Sequence, residues 1–256
     1  MKPGLTTATG ASALLATLAV TAALGGAGAH ESRAAAAAPP LPRGSERVVL
    51  DPTAFTTAIT NPYWPMAPGT RWVYRESEPG GRRLRVVVTV TSRTRLLANG
   101  ITAREVRDTV TDNGVLVEDT VDWYAQDRAG NVWYLGERTT EYENGKPVST
   151  EGSFEAGVDG AQAGIAMPAR PAPGLSYRQE HYAGHAEDAA TVLRLGEQAE
   201  VPAGHYTDVV VTRDVNPLQA KIVEYKFYAR GVGPVLAVGV SGGSGREELV
   251  SFTRGR

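Results

Sequence analysis

Cysteine is absent from all 256 residues. That excludes disulfides, thiolate zinc sites, iron–sulfur clusters and thiol nucleophiles, and with them the acylated cysteine that anchors a bacterial lipoprotein. Stability must come from an ordinary hydrophobic core, which a chain of this length can build. A dominant charge is also missing: 26 basic against 28 acidic side chains leave a net charge of −2, which is no electrostatic footprint for nucleic acid or an anionic membrane. The cluster Arg82, Arg83 and Arg85 reads as a solvated strand face. No apolar run reaches the roughly 20 residues of a membrane-spanning helix. Beyond residue 70 no apolar period of 3.6 persists long enough for an amphipathic helix.

What is present begins with an export signal. Lys2 gives a thin positive start, Leu14 to Leu24 a short apolar stretch, and Ala27-Gly28-Ala29 a small-residue cleavage site. Residues 1–29 therefore read as a signal peptide cleaved after Ala29, placing a chain that starts at His30 outside the cytoplasm. Residues 30–47 carry Ala34 to Ala38 and Pro39, Pro40 and Pro42. Such a tract buries no core and reads as a disordered linker. One β-rich domain is expected over residues 48–254.

From Thr70 onward the chain alternates β-rich runs with turn chemistry. Thr70–Ser77, Arg82–Leu97, Ile101–Thr111, Val115–Gln126 and Asn131–Tyr142 read as five strands of an antiparallel meander. Asn99-Gly100 and Asn113-Gly114 are the dipeptides that favour two-residue hairpin turns. In the fourth run Val117, Val121, Trp123 and Ala125 share one face, and Glu118, Thr120, Asp122, Tyr124 and Gln126 the other. Asp119 falls on the apolar face, where an acid needs a partner such as Arg107 on the neighbouring run.

The second half echoes the first at offsets of 103 to 105 residues: Gly69 with Gly174, Asn99-Gly100 with Ala203-Gly204, Val106 with Val210, Tyr124-Ala125 with Tyr228-Ala229, Gly136 with Gly239. The expectation is an all-β fold with little helix. Two related lobes, about 69–145 and 174–254, form one curved sheet, a half-barrel or a sandwich, because a lone sheet must bury its apolar face against something. The Gly-, Ala- and Pro-rich segment 146–173, anchored by Phe154, Ile165 and Met167, is expected as a loop or lid.

Common chemistries lack their motifs. The nearest approach to a nucleophile elbow, Gly242-Gly243-Ser244-Gly245, ends in Arg246. There is no Gly-rich phosphate loop and no calcium loop, so no cofactor is expected. His181, His185, Glu187 and Asp188 gather four possible metal ligands, but Gly184 between the histidines suggests a turn that scatters them. Carboxylate pairs of the kind glycosidases use are offered by Glu118 with Asp122 and by Glu187 with Asp188. Aromatics form the remaining signal: on a curved sheet Trp123, Trp133, Tyr134 and Phe227, with Met167, would line a concave apolar pocket or simply fill the core.

The strings Asn61-Pro62-Tyr63-Trp64-Pro65, Pro68-Gly69-Thr70-Arg71-Trp72-Val73-Tyr74, Asp122-Trp123-Tyr124-Ala125-Gln126-Asp127, Gly130-Asn131-Val132-Trp133-Tyr134 and Glu155-Ala156-Gly157-Val158-Asp159-Gly160-Ala161, with Tyr228-Ala229-x-Gly231-Val232-Gly233, resemble a widespread family of uncharacterised secreted bacterial β-rich proteins. The last motif also resembles half-barrel envelope proteins related to lipoprotein carriers, at the level of fold. The resemblance implies a β fold outside the cytoplasm and transfers no catalytic residues, the family having no assigned activity. The leading expectation is a non-enzymatic secreted carrier for a small apolar or amphipathic ligand. The alternatives are an extracellular carboxylate-dependent glycan hydrolase and a structural module of the cell envelope.

Overall fold

A computed structural model describes residues 41–256 apart from Pro79 and Ala220. The expected leader, its cleavage point and residues 30–40 lie outside the described residues. The first half supplies β1 (Phe55–Thr56), β2 (Arg71–Ser77), β3 (Arg83–Leu96), β4 (Thr102–Asp112), β5 (Val115–Asp127) and β6 (Val132–Glu143). Then come β7 (Lys146–Ser149), β8 (Phe154–Glu155) and β9 (Gln162–Met167). The second half supplies β10 (Ser176–Arg178), β11 (Glu180–His181), β12 (Ala189–Val201), β13 (Gly204–Val215), β14 (Val223–Ala229), β15 (Gly233–Ser241) and β16 (Arg246–Thr253). Among the described residues the helical content is two short 3₁₀ turns, at Pro52–Ala54 and Pro217–Gln219.

The fold is all-β and antiparallel, as the alternation predicts. Asn113-Gly114 makes the expected two-residue turn, with φ of 47° and 85°. At Asn99-Gly100 only the glycine has positive φ. The loop there is longer, because the Asn99 side chain accepts from Ile101 N and Leu97 N donates to Ile101 O.

Strand order is β10-β12-β13-β14-β15-β16-β2-β3-β4-β5-β6-β9-β11. Its two ends, β10 and β11, are consecutive in the chain with only Gln179 between them. β10 pairs with β12, and β11 pairs with β9 through Glu180↔Ala163 and His181↔Gln162. One short stretch thus joins both edges, and the sheet curls almost completely into a barrel. Both halves contribute to one core, with β16 against β2 as the second junction. The segment expected as a loop or lid holds β7, β8 and β9. Its residues 162–167 are instead a barrel strand. Gly164 permits the seam, since a Cβ there would overlap the Gln179 carbonyl.

One end of the barrel is plugged. Trp64 lies 5.6 Å from both Tyr124 and Tyr228, ring centre to ring centre, beside the buried Ile59, Met66 and Trp72. Asn61 holds this plug by donating to Gly130 O and Pro168 O, at 3.0 and 3.1 Å. The Asn61–Pro65 motif therefore has a structural task. Outside the wall, residues 41–59 lie against β4–β6 and the seam. Arg178, 2 % exposed, donates to the carbonyls of Ala163, Gly44 and Glu46 and fastens that segment.

Candidate functional site

Residues paired across antiparallel strands share a face, so register identifies what points inward. The buried Trp72, Tyr74, Val86, Val90 and Val106 mark the inner face. Continuing around the first half, that face carries Val88↔Asp108↔Thr120↔Thr139, Val106↔Asp122↔Glu137 and Val110↔Glu118↔Glu141. Glu76 joins them opposite Glu247. In the second half the inner rows are Ala237↔Lys226↔Thr212↔Val192 and Glu224↔Asp214↔Ala190↔Tyr177.

The inside of the barrel is therefore divided. Its plugged end is aromatic and aliphatic. The opposite end, near the turns at residues 78–82, 113–114 and 216–222, is lined by carboxyl groups. Glu76, Asp108, Glu118, Glu137, Glu224 and Glu247 all keep part of their surface accessible although the sheet wraps around them. Among the described residues Lys226 is the ammonium on this face, 3.1 Å from Asp214. Arg82 at the rim is engaged by Asp112 and Glu78, at 2.8 and 3.3 Å.

The crowding is electrostatically costly, and protons relieve it. Burial, then the neighbouring Asp122, pushes Glu137 up to about 8. Burial, against the pull of the Tyr134 hydroxyl, lifts Asp122 to about 7. Burial and Glu76 raise Glu247 to about 8. Asp108 and Glu180 are pushed well above the carboxylate range by burial and by Asp122 and Asp188 respectively. Burial opposes the charge of Lys226, but Asp214, Tyr228, Glu224 and Asp188 outweigh it and hold the ammonium well above an ordinary lysine.

The Tyr134 hydroxyl lies 2.9 Å from both Asp122 Oδ1 and Glu137 Oε2. A phenol has one proton to donate, so both contacts are satisfied only when one carboxyl is protonated and donates back. The geometry and the raised pKa values point the same way: both favour a protonated carboxyl in this pair.

The aromatic residues proposed from sequence separate by face. Tyr134 and Met167 belong to the inner side, Met167 fully buried opposite Val132. Trp123 and Trp133 point the other way. Trp123 lies beneath the Arg95 guanidinium at 4.4 Å, and Arg95 is paired to Glu155 at 2.7 Å. Trp133 meets Phe55 edge-on at 6.0 Å and donates to Asp127. Phe227, between the inward Lys226 and Tyr228, faces outward and is half-buried. These three do not line the concave side, because loops and the 41–59 segment supply a second apolar layer outside the wall.

The histidine cluster is scattered by the turn at Gly184. His185 is exposed and stacks on Tyr182 at 4.4 Å, and Glu187 accepts from Gly184 N at 2.8 Å. His181 ends β11, while Asp188 takes part in the seam, its N–H donating to Glu180. Among the described residues no three His, Asp or Glu side chains are placed to hold a metal ion. Asp119 and Arg107 do pair, at 2.7 and 3.0 Å, on the outer face.

What sequence reasoning missed is the direction of Glu118 and Asp122. Their common face was legible; that it points inward was not. The available signal was the recurrence of acids on one face of successive strands, Asp108 on β4, Glu118 and Asp122 on β5, and Glu137 and Glu141 on β6.

No family model matches the chain, and no curated protein matches it. Among solved structures, a crystal structure of a lipoprotein candidate from Parabacteroides distasonis aligns with 75 % of this chain and 98 % of its own at 13 % identity, with a TM-score of 0.40. That is a distant likeness of fold and carries no functional weight. No helix among the described residues is long and apolar enough to cross a membrane.

Proposed function

We propose that this is an exported binding or carrier protein whose barrel is a cup: Trp64 closes its floor, and a small amphipathic ligand enters the carboxyl-lined end. The supporting observation is the half-buried inner wall above a fully packed aromatic floor. A wall kept polar inside a sheet gains nothing for folding, since burying carboxyl groups costs stability unless they are paired. Sites of binding are where such cost is commonly retained. Export rests on the leader read from residues 1–29. Native mass spectrometry of the protein purified from its own host tests the reading: a co-purifying small molecule is expected. A clean apo mass, unchanged on adding host extracts, would sink it.

A second reading has one specific observation in its favour. Asp122 and Glu137 converge on a single hydroxyl, that of Tyr134, at 2.9 Å each, an arrangement of the kind from which a general acid and a general base are made. This pair, and not Glu187 with Asp188, is where glycan hydrolysis would reside. Release of reducing sugar from cell-wall glycans, abolished in both Asp122→Asn and Glu137→Gln, would establish it; no release by the wild type would end it.

A further inference from the structure

We infer that the carboxyl wall is a subsite for an organic ammonium group, such as the head of a primary amine or one end of a polyamine. The inference rests on the reading of the barrel as a binding cup and adds the sign of the ligand's charge.

The first ground is the imbalance of the wall. From the first half, Glu76 on β2, Asp108 on β4, Glu118 and Asp122 on β5, and Glu137 on β6 face one space. From the second, Asp214 on β13, Glu224 on β14 and Glu247 on β16 face it, with Glu180 and Asp188 at the seam. Lys226 answers Asp214, and Arg82 answers only the rim acids. The remaining carboxyl groups face each other. Only protons or an entering cation can relieve that repulsion.

The second ground is independent of charge. Tyr177 is 1 % exposed, and its hydroxyl has no hydrogen-bond partner among the described residues. Its register places it in the inner row with Asp214 and Glu224. Asp108 Oδ1, across the barrel, is also buried without a partner. Buried polar atoms left unpaired are rare and call for an explanation. Both oxygens carry lone pairs that can accept a hydrogen bond, and both sit on the inner face of the sheet. An ammonium group brings up to three donors and no acceptor, the complement of what the wall offers. A metal ion fits less well, because no three acidic or histidine side chains among the described residues converge at coordinating distance.

A cation that displaces protons must bind more weakly in acid. Burial and mutual repulsion hold Asp122, Glu137 and Glu247 at about 7, 8 and 8, so the wall gains charge as pH rises across that range and loses it below.

Isothermal titration of the whole mature chain with octylamine, octan-1-ol and octanoate tests this. The three probes share a tail and differ in head charge. At about pH 8 octylamine is expected to bind at least roughly tenfold more tightly than octanol, with octanoate weakest, and to lose about tenfold or more at about pH 5. Tyr177→Phe and Asp108→Asn should each reduce octylamine affinity alone, and Asp108→Asn, which keeps the size and shape of the side chain and adds no charge, should not impair folding. Equal binding of octanol or octanoate would overturn the ammonium subsite while leaving the cup intact. Failure of all three to bind would overturn the cup as well.

Discussion

Tyr134, Asp122 and Glu137 form the residue-scale centre of the molecule: one hydroxyl and two carboxyl groups. Their pKa values carry a consequence for stability. A carboxyl raised in the folded state binds more protons than the unfolded chain does between the two values, so stability falls as pH climbs across that interval. For Asp122 and Glu137 the interval runs from about 4 in the unfolded chain to about 7 and 8 in the fold. The stabilising effect of the bound protons is complete at the acidic end and lost toward pH 8. The melting temperature is therefore expected to drop by on the order of 5–10 °C between pH 5 and 8.5. Glu137→Gln should raise it at pH 8.5 and flatten the slope. A wild-type melting temperature independent of pH across that range would contradict the buried, protonated pair. Arg107 with Asp119 shows what was legible at this scale. An acid among valines called for a cation one strand away, and the ion pair exists. Arg178 was not legible, because two of its partners, the carbonyls of Gly44 and Glu46, belong to residues more than a hundred positions away.

At the scale of elements, β5 carries the principal lesson. Its alternation was read correctly, with Val117, Val121 and Trp123 on one side and Glu118, Thr120 and Asp122 on the other. The direction was reversed, because apolar residues go inward only when the inside is dry. Here carboxyl groups line the open end of the barrel, and loops cover Trp123 from outside. The seam is the other element that local pattern could not show: β10 and β11 are three and two residues long, below any periodicity. Gly164 is where this seam is most exposed to test. A side chain at Gly164 must displace the Gln179 backbone, so Gly164→Val is expected to cost about 1–3 kcal/mol or more, read from urea denaturation. Gly243→Ala, where no atom lies within 4 Å of the added methyl, should change stability by no more than about 0.5 kcal/mol. Equal effects would mean that the seam does not hold the barrel.

For the whole molecule, closure decides both stability and charge. Each half alone is a meander with two open edges, and open edges are prone to mispairing; joined at β16–β2 and at the 176–181 stretch, neither half keeps a free long edge. The full chain is expected to melt in one transition, and the separate segments 41–167 and 168–256 to show no cooperative melting by circular dichroism. A half that melts cooperatively by itself would separate the lobes into two domains. Closure also sorts charge. The outer face of the first half bears Arg71, Arg75, Arg85, Arg107 and Arg138, and three of these, Arg75, Arg107 and Arg138, stand one residue from the inward-facing Glu76, Asp108 and Glu137. A net charge of −2 thus conceals a cluster of inward-facing acids, while the arginines of the outer face meet acids there, Arg75 with Glu248 and Arg107 with Asp119.

By itself the sequence determined what depends on neighbouring residues: which runs are strands, where Asn-Gly turns them, that the fold is all-β, and that no thiol takes part. Strand period and turn chemistry are local, and they survive without knowledge of the rest of the chain. The tertiary structure alone decided which face of each strand meets the inside, that acids gather there, that Trp64 plugs one end, and that five residues near position 180 close the sheet. Those outcomes depend on curvature and on contacts between residues far apart in the chain. A period of two names the two faces of a strand, and only the closed sheet says which of them points inward.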